Sequence, residues 1–230
     1  MFRLEDIAKV YSRRGHQVVA FRAASLEIKS GEYVAIVGPS GSGKTTLLSM
    51  LGGMLSPDTG HIWLDDAPVY ELSVPERTKL RREKIGFVFQ TFNLIPYLTA
   101  VENVQVPLYL AGVPKSEQRE RAVALLERVG LGERLDHKPS ELSIGQQQRV
   151  TLARTLANSP PVILADEPTG NLDPESRGRV LDFFDELNRD GHTIVMVTHD
   201  LTAADRAKRK LTLCDGTVST SSPAISMRAA

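Results

Sequence analysis

Gly38, Pro39, Ser40, Gly41, Ser42, Gly43, Lys44 and Thr45 are consecutive and satisfy the spacing GxxxxGK[ST] at every fixed position. Glycines lack a Cβ and reach positive φ, so backbone built from them can wrap closely around phosphate. Successive N–H groups at a helix N-terminus then point at the anion. In such a loop Lys44 reaches the β- and γ-phosphates and the Thr45 hydroxyl ligates Mg²⁺, which makes the stretch a nucleoside triphosphate site. The required context is present: Tyr33 to Val37 reads as a buried strand before the loop. Thr46 to Leu51 reads as a helix after it, with Thr46 joining the nucleotide-binding set. A Gly/Ser-rich turn before a helix is the alternative for such a stretch taken alone.

Three further groups fall at the ends of expected strands. Val162 to Ala165 is all apolar and delivers Asp166 and Glu167 at its C-terminal end, the edge at which parallel α/β sheets bind ligands. The strand from Thr193 to Thr198 ends at His199, and Ile85 to Phe89 runs into Gln90. Phosphoryl transfer asks mainly for positioning and charge neutralisation, together with a group that orients water. Asp166 would hold Mg²⁺ largely through water, with Gln90 beside it as a second metal-facing and catalytic candidate. Glu167 is the expected general base and His199 the contact to the γ-phosphate. Each alone has an ordinary structural explanation; together they describe a hydrolase for the γ-phosphate.

The elements that must carry these groups can be read in order. Phe2 to Tyr11 and Val18 to Ile28 read as strands, joined by a turn at residues 12–15. Tyr11 then lies at a strand end, either an ordinary sheet aromatic or a platform for a purine ring. His61 to Leu64 with Val69-Tyr70 reads as a hairpin around Asp65-Asp66. The charge run from Glu76 to Lys84 is interrupted by acids and reads as a solvated helix face rather than a binding patch. After Gln90 comes a loop from Thr91 to Thr99 unusually rich in large apolar side chains, which suggests that a partner covers it.

Residues 91 to 158 read as a mostly helical block inserted between strands. Thr99 and Glu102 form a capping-box pattern, and Lys115 to Val129 carries one apolar face. Ser143 caps the helix that follows, with Gln146 in its first turn. Asn171-Leu172-Asp173 leads into another helix that has Pro174 at its first position. Leu211 to Val218 reads as a hairpin around Asp215-Gly216, and residues 219–230 as a frayed, flexible tail.

At 230 residues, one domain running from 2 to 218 is expected. The 28 acidic and 28 basic side chains cancel, so no overall field draws the chain to nucleic acid or an anionic membrane. Cys214 is the single cysteine, excluding an internal disulfide or a cysteine-cluster metal site and suiting a reducing cytoplasm. The sequence from Met1 to Asp6 has no apolar signal core, and no run approaches the roughly 20 apolar residues that span a bilayer.

The ordered set of Gly38 to Thr45, Gln90, Leu142-Ser143-Ile144-Gly145-Gln146, Asp166-Glu167, Asn171-Leu172-Asp173 and His199 resembles that of ATP-binding-cassette (ABC) ATPases. The resemblance covers roughly Phe2 to Val218. It implies an α/β P-loop NTPase fold with a RecA-like core, a small antiparallel β subdomain and an inserted α-helical subdomain. It also implies a homodimer sandwiching two ATP molecules, with each phosphate loop facing Ser143 and Gly145 of the other copy. By the same resemblance Gln146 joins the nucleotide contacts, Tyr11 is the adenine-stacking aromatic, and Asp173 belongs to the dimer-contact loop. Phe92 to Leu98 is then the groove for a membrane permease's cytoplasmic helix, which places the protein at the cytoplasmic face of the membrane.

The loop after Gln90 and the run Ile144-Gly145-Gln146-Gln147-Gln148-Arg149 look most similar to the subgroup serving lipoprotein release, macrolide export and cell division. Isoleucine at 144 departs from the family's glycine, and a β-branched residue resists positive φ; a modest effect on turnover is expected. A nucleotide-gated regulatory module signalling to a membrane or cell-wall complex is the alternative function. A nucleic-acid role is not expected, since tandem cassettes and long insertions are absent.

Overall fold

The computed structural model describes residues 1–13 and 16–221. Two sheets organise the chain. The first is antiparallel and is built from β1 (Phe2–Arg13), β2 (His16–Ile28), β4 (Thr59–Leu64) and β5 (Ala67–Pro68) in the order β2-β1-β4-β5. Its β1/β2 register shifts between Leu4 and Val10, irregularities of the kind that bend a ribbon, and β2 meets the helix Lys44–Leu51 and the second sheet's strand Thr217–Ser221. That second sheet contains β3 (Tyr33–Val37), β6 (Ile85–Val88), β7 (Val162–Asp166), β8 (Thr193–Val197), β9 (Arg209–Cys214) and β10 (Thr217–Ser221), in the order β10-β9-β3-β8-β7-β6. All its pairings are parallel except β9/β10.

Side chains alternate across a strand, so each parallel strand feeds two cores. Val34, Ile36, Leu164, Val195 and Val197 face one side with α1 (Lys44–Leu51) and the antiparallel sheet's Phe2, Leu4, Ile7 and Phe21. Ala35, Ile163, Ala165, Ile194 and Met196 face the other. There they meet α3 (Ala100–Leu110), α4 (Lys115–Arg128), α5 (Ile144–Leu156) and α6 (Pro174–Arg189). Two more helices, α2 (Val74–Lys84) and α7 (Leu201–Ala204), complete the set. No residue of α2 is buried, in keeping with a solvated charged face.

Local signals account for the helix starts. Thr99 Oγ1 accepts from the Glu102 N–H at 3.3 Å while Glu102 Oε2 accepts from the Thr99 N–H at 2.8 Å, closing the capping box. Ser143 and Gln146 form the same reciprocal pair at 3.2 and 2.8 Å. Asp173 Oδ1 accepts from the Ser176 N–H at 2.9 Å, with Pro174 next in the chain.

Several boundaries differ from the sequence reading. The strand after β9 extends through Ser219 to Ser221, so the ordered chain passes 218, because these residues pair with Thr212, Leu211 and Lys210. Residues 222–230 of the expected tail, and 14–15 of the expected first turn, lie outside the described residues. The second hairpin pairs Leu64 with Ala67, and Val69 instead donates its N–H to Ile62 O at 2.9 Å. Strand β6 stops at Val88, one residue short of the expected end.

Candidate functional site

Strands β3, β8, β7 and β6 are neighbours, so their C-terminal ends form one continuous rim. The 38–45 loop leaves β3, Asp166 closes β7, and His199 and Gln90 each lie two residues beyond β8 and β6. A cleft of 640 Å³ opens along this rim, lined by Tyr11, the phosphate-loop glycines, Lys44, Thr45, Thr46, Gln90, Asp166, Glu167 and His199. Val18 and Ala20 of β2 line it as well. Sequence reading had missed these two, whose only signal was their place in the ribbon opposite Tyr11.

The loop is shaped as a cradle. Gly43 has φ +99°, and a Cβ there would lie 2.1 Å from Ala20 O. A Cβ on Gly38 would meet Leu213 O at the same distance and the Ser42 Oγ at 2.9 Å. Side chains are excluded by neighbouring backbone, which leaves room inside the loop for a ligand. Lys44 is buried, and its Nζ donates to Gly38 O and Pro39 O at 2.9 Å each, leaving a third N–H. The Ser42 Oγ is buried and has no partner among the described residues. Ser42 does not line the cleft, so the fit to a phosphate group rests on the Lys44 ammonium and the backbone of the loop.

Thr45 Oγ1 donates to Asp166 Oδ1 at 3.3 Å. Burial pushes the Asp166 carboxyl above its ordinary range, with the Thr45 hydrogen bond opposing that push, the Glu167 charge adding to it, and Lys44 opposing. A hydroxyl beside a carboxylate that pays to be charged is a donor set suited to a hard divalent cation completed by phosphate oxygens and water. No cluster of three His, Cys, Asp or Glu side chains able to hold a metal exists among the described residues.

Glu167 has φ +46°, a conformation that costs about 1–3 kcal/mol unless its surroundings impose it. Its N–H donates to Val197 O at 2.9 Å. Its Oε1 accepts from the His199 N–H at 3.0 Å and contacts His199 Nδ1 at 2.8 Å, and its Oε2 accepts from Thr198 Oγ1 at 3.1 Å. His199 thus addresses Glu167 directly, a contact that its place at a strand end did not foretell. The Tyr11 hydroxyl lies 3.4 Å from Thr46 Oγ1, tying the aromatic ring to the start of α1.

Ser143, Gly145, Gln146 and Asp173 do not line this cleft. Ser143 is exposed ahead of α5, while Gly145 is buried against α6, where a Cβ would lie 2.4 Å from Ser176 Oγ. Ile144 occupies the first turn of α5, outside the left-handed region, and is 54% exposed. The backbone objection to isoleucine therefore does not apply, because this position does not call for positive φ.

The loop after Gln90 is pinned from α5. Arg154 Nη2 and Nη1 donate to the carbonyls of Phe92 and Asn93 at 2.7 and 2.6 Å, and Thr151 Oγ1 donates to Phe92 O at 3.2 Å. Leu94 packs on the core, whereas Tyr97 is 84% exposed. Beside the loop runs a groove of 760 Å³ whose apolar lining includes Met54, Phe87, Phe89, Val106 and Leu110. Asn93 is the one contributor to it from residues 92–98. Arg81 and Arg82 of α2 also line it, a role that the charge run alone did not reveal.

A model of the ABC transporter family matches residues 21–170, and the chain belongs to that family as an ATP-binding ATPase subunit. A Thermotoga maritima protein described as an uncharacterized ABC transporter ATP-binding protein is 47% identical over 218 residues, covering 95% of this chain and 93% of its own. The macrolide export ATP-binding/permease protein MacB of Syntrophobacter fumaroxidans is 49% identical over 228 residues, covering 98% of this chain. The match takes in 32% of MacB, so this chain spans about a third of that relative. Among solved structures, the ATP-binding cassette MJ0796 of Methanocaldococcus jannaschii, described as a dimer in a post-hydrolysis state bound to ADP and Pi, superposes with a TM-score of 0.88. It is 43% identical and the match covers 96% of this chain and 98% of that one.

Proposed function

We propose that two copies of this chain close around two Mg·ATP and that the closure drives a separate membrane permease of the lipoprotein-release, macrolide-export or mechanotransmission type. The observation carrying this reading is the division of the nucleotide-recognising groups. One cleft gathers Lys44, Thr45, Asp166, Glu167 and His199, while exposed Ser143 at the start of α5 and Asp173 at the start of α6 lie outside it. A second copy would bring Ser143, the Gly145 amide and Gln146 to the γ-phosphate. The cassette MJ0796, similar along nearly its whole length, is described as dimeric.

In the closed pair, Tyr11 stacks on the adenine and the backbone N–H groups of the 38–45 loop hold the phosphates. Lys44 turns its remaining N–H toward the β- and γ-oxygens. Thr45 and Asp166, with Gln90 at the mouth, would hold Mg²⁺, which when bound neutralises charge on the β- and γ-phosphates. Glu167 accepts the proton of the attacking water. His199 keeps the carboxylate oriented through Nδ1 and its own N–H, and meets the γ-phosphate from the same side.

The domain is best drawn as 2–221, taking in the whole of β10, with the helical block at about 91–158 as its moving part. Its apolar groove would receive the permease's cytoplasmic helix, and no helix among the described residues is long and apolar enough to cross a membrane itself. On this reading the working protein sits at the cytoplasmic face of the membrane. The test is to tag the chain in its own cells, solubilise the membranes gently and identify what co-purifies. A permease recovered with the parent and lost with Leu110→Glu, whose isolated ATPase persists, supports the reading. A chain that stays free of membrane protein favours the regulatory alternative.

A further inference from the structure

Helix α5 begins at the face expected to meet the other copy's nucleotide, yet one of its side chains reaches back to this copy's own catalytic segment. Gln148 is fully buried, and its Nε2 donates to Pro168 O at 2.6 Å. Pro168 immediately follows Glu167, whose left-handed backbone persists only if its surroundings hold it. Two holds come from the catalytic strands and the turn itself: Glu167 N–H to Val197 O, and Gly170 N–H to Glu167 O at 3.1 Å. Among the described residues, the hydrogen bond from Gln148 is the one that comes from the helical block. Gly145, one turn earlier, packs against Ser176 at the far end of the same segment, so α5 grips residues 168–176 at both ends.

The Gln148 Oε1 is buried without a partner among the described residues. An amide whose acceptor is orphaned is an expensive choice for a core position, where an apolar side chain of the same length would serve packing equally well. What the amide alone supplies is the donor to Pro168 O.

We propose that Gln148 is a positioning residue for Glu167: it fixes the backbone after the general base and links that backbone to the helix that answers the other copy's γ-phosphate. The inference rests on the reading of Glu167 as the base. A shift of the carboxylate by a fraction of an ångström changes rate without changing nucleotide contacts, because Gln148 touches neither the loop nor the cleft.

The test uses the full chain with Mg·ATP and measures kcat, KM and Tm for Gln148→Met, alone and combined with Glu167→Gln. Methionine keeps length and volume and removes both donor and orphan acceptor. The expected result is a fall in kcat of about tenfold to a hundredfold, with KM held within about twofold, since positioning rather than binding is lost. Tm should stay within about 2 °C of the parent. In the Glu167→Gln background the same change should cost no further rate, because the group being positioned is gone. Unchanged kcat in Gln148→Met, or an equal loss in both backgrounds, overturns the proposal. A Glu167→Gln protein with parental turnover overturns instead the reading beneath it, and does so without reference to Gln148. If the methionine variant does not fold, Gln148→Asn, which keeps the amide but is one methylene too short to reach Pro168, carries the same comparison.

Discussion

The packing of Gly145 against α6 gives a prediction whose size follows from two distances. In Gly145→Ala the new methyl would lie 2.4 Å from Ser176 Oγ and 2.9 Å from Ser176 Cβ. Ser176 cannot simply rotate away from the second contact, because its Cβ is fixed by the first turn of α6, where its N–H is held by Asp173 at 2.9 Å. Relief requires the two helix starts to separate. Overpacking of this kind costs about 1–3 kcal/mol. Replacing glycine by alanine within a helix returns up to about 1 kcal/mol in propensity. With two contacts under 3.0 Å the clash falls at the middle of its range, about 2 kcal/mol; less the propensity return this leaves about 1–2 kcal/mol, and for a chain of this size that lowers Tm by roughly 2–8 °C. Thermal melts followed by circular dichroism without nucleotide measure it directly. Ser176→Ala removes the closer contact and leaves the farther one, so the double variant should regain part of the loss. A Gly145→Ala protein as stable as the parent, or a penalty that Ser176→Ala leaves untouched, would refute the packing account of this glycine.

Other outcomes follow from the same geometry. Burial raises the Asp166 carboxyl pKa in the folded chain, so the ionised group weighs against folding at neutral pH, and that penalty disappears as pH falls through the raised pKa. Asp166→Asn should therefore raise Tm at neutral pH, with the gain shrinking on acidification, while ATP turnover is lost; a Tm gain that grows toward acid would contradict the sign. Ile144→Gly should change turnover by less than about tenfold, because Ile144 is exposed and unstrained. A hundredfold change in steady-state phosphate release, about 2.7 kcal/mol in the barrier, would show that its side chain acts at the nucleotide.

Much of this architecture was legible because its signals are local. The phosphate loop, the apolar strands that end at Asp166 and His199, and the capping residues Thr99, Ser143 and Asp173 each lie within a few residues of what they determine. The parallel order β3-β8-β7-β6 brings those separate signals to one rim. What escaped reading depends on contacts across the fold. Val18 and Ala20 reach the cleft because β2 of the antiparallel sheet lies against the phosphate loop, with Ala20 O packed on Gly43. The groove draws Met54, Phe89 and Leu110 from three separated stretches, and no periodicity joins them. Gln148 looks like one polar residue in a glutamine run until its burial and its bond to Pro168 are seen. The expectation of strain at Ile144 failed because the backbone there is already helical. The expectation that order ends at 218 failed because cross-strand pairing with β9 continues through Ser221.

The central claim is that ATP is held between two copies and consumed by Glu167. The most direct test is the mass of Glu167→Gln by light scattering, with Mg·ATP and with Mg·ADP, both at saturation. The account predicts a dimer with ATP, a monomer with ADP, and collapse of phosphate release. A Glu167→Gln chain that remains monomeric in saturating ATP would contradict it.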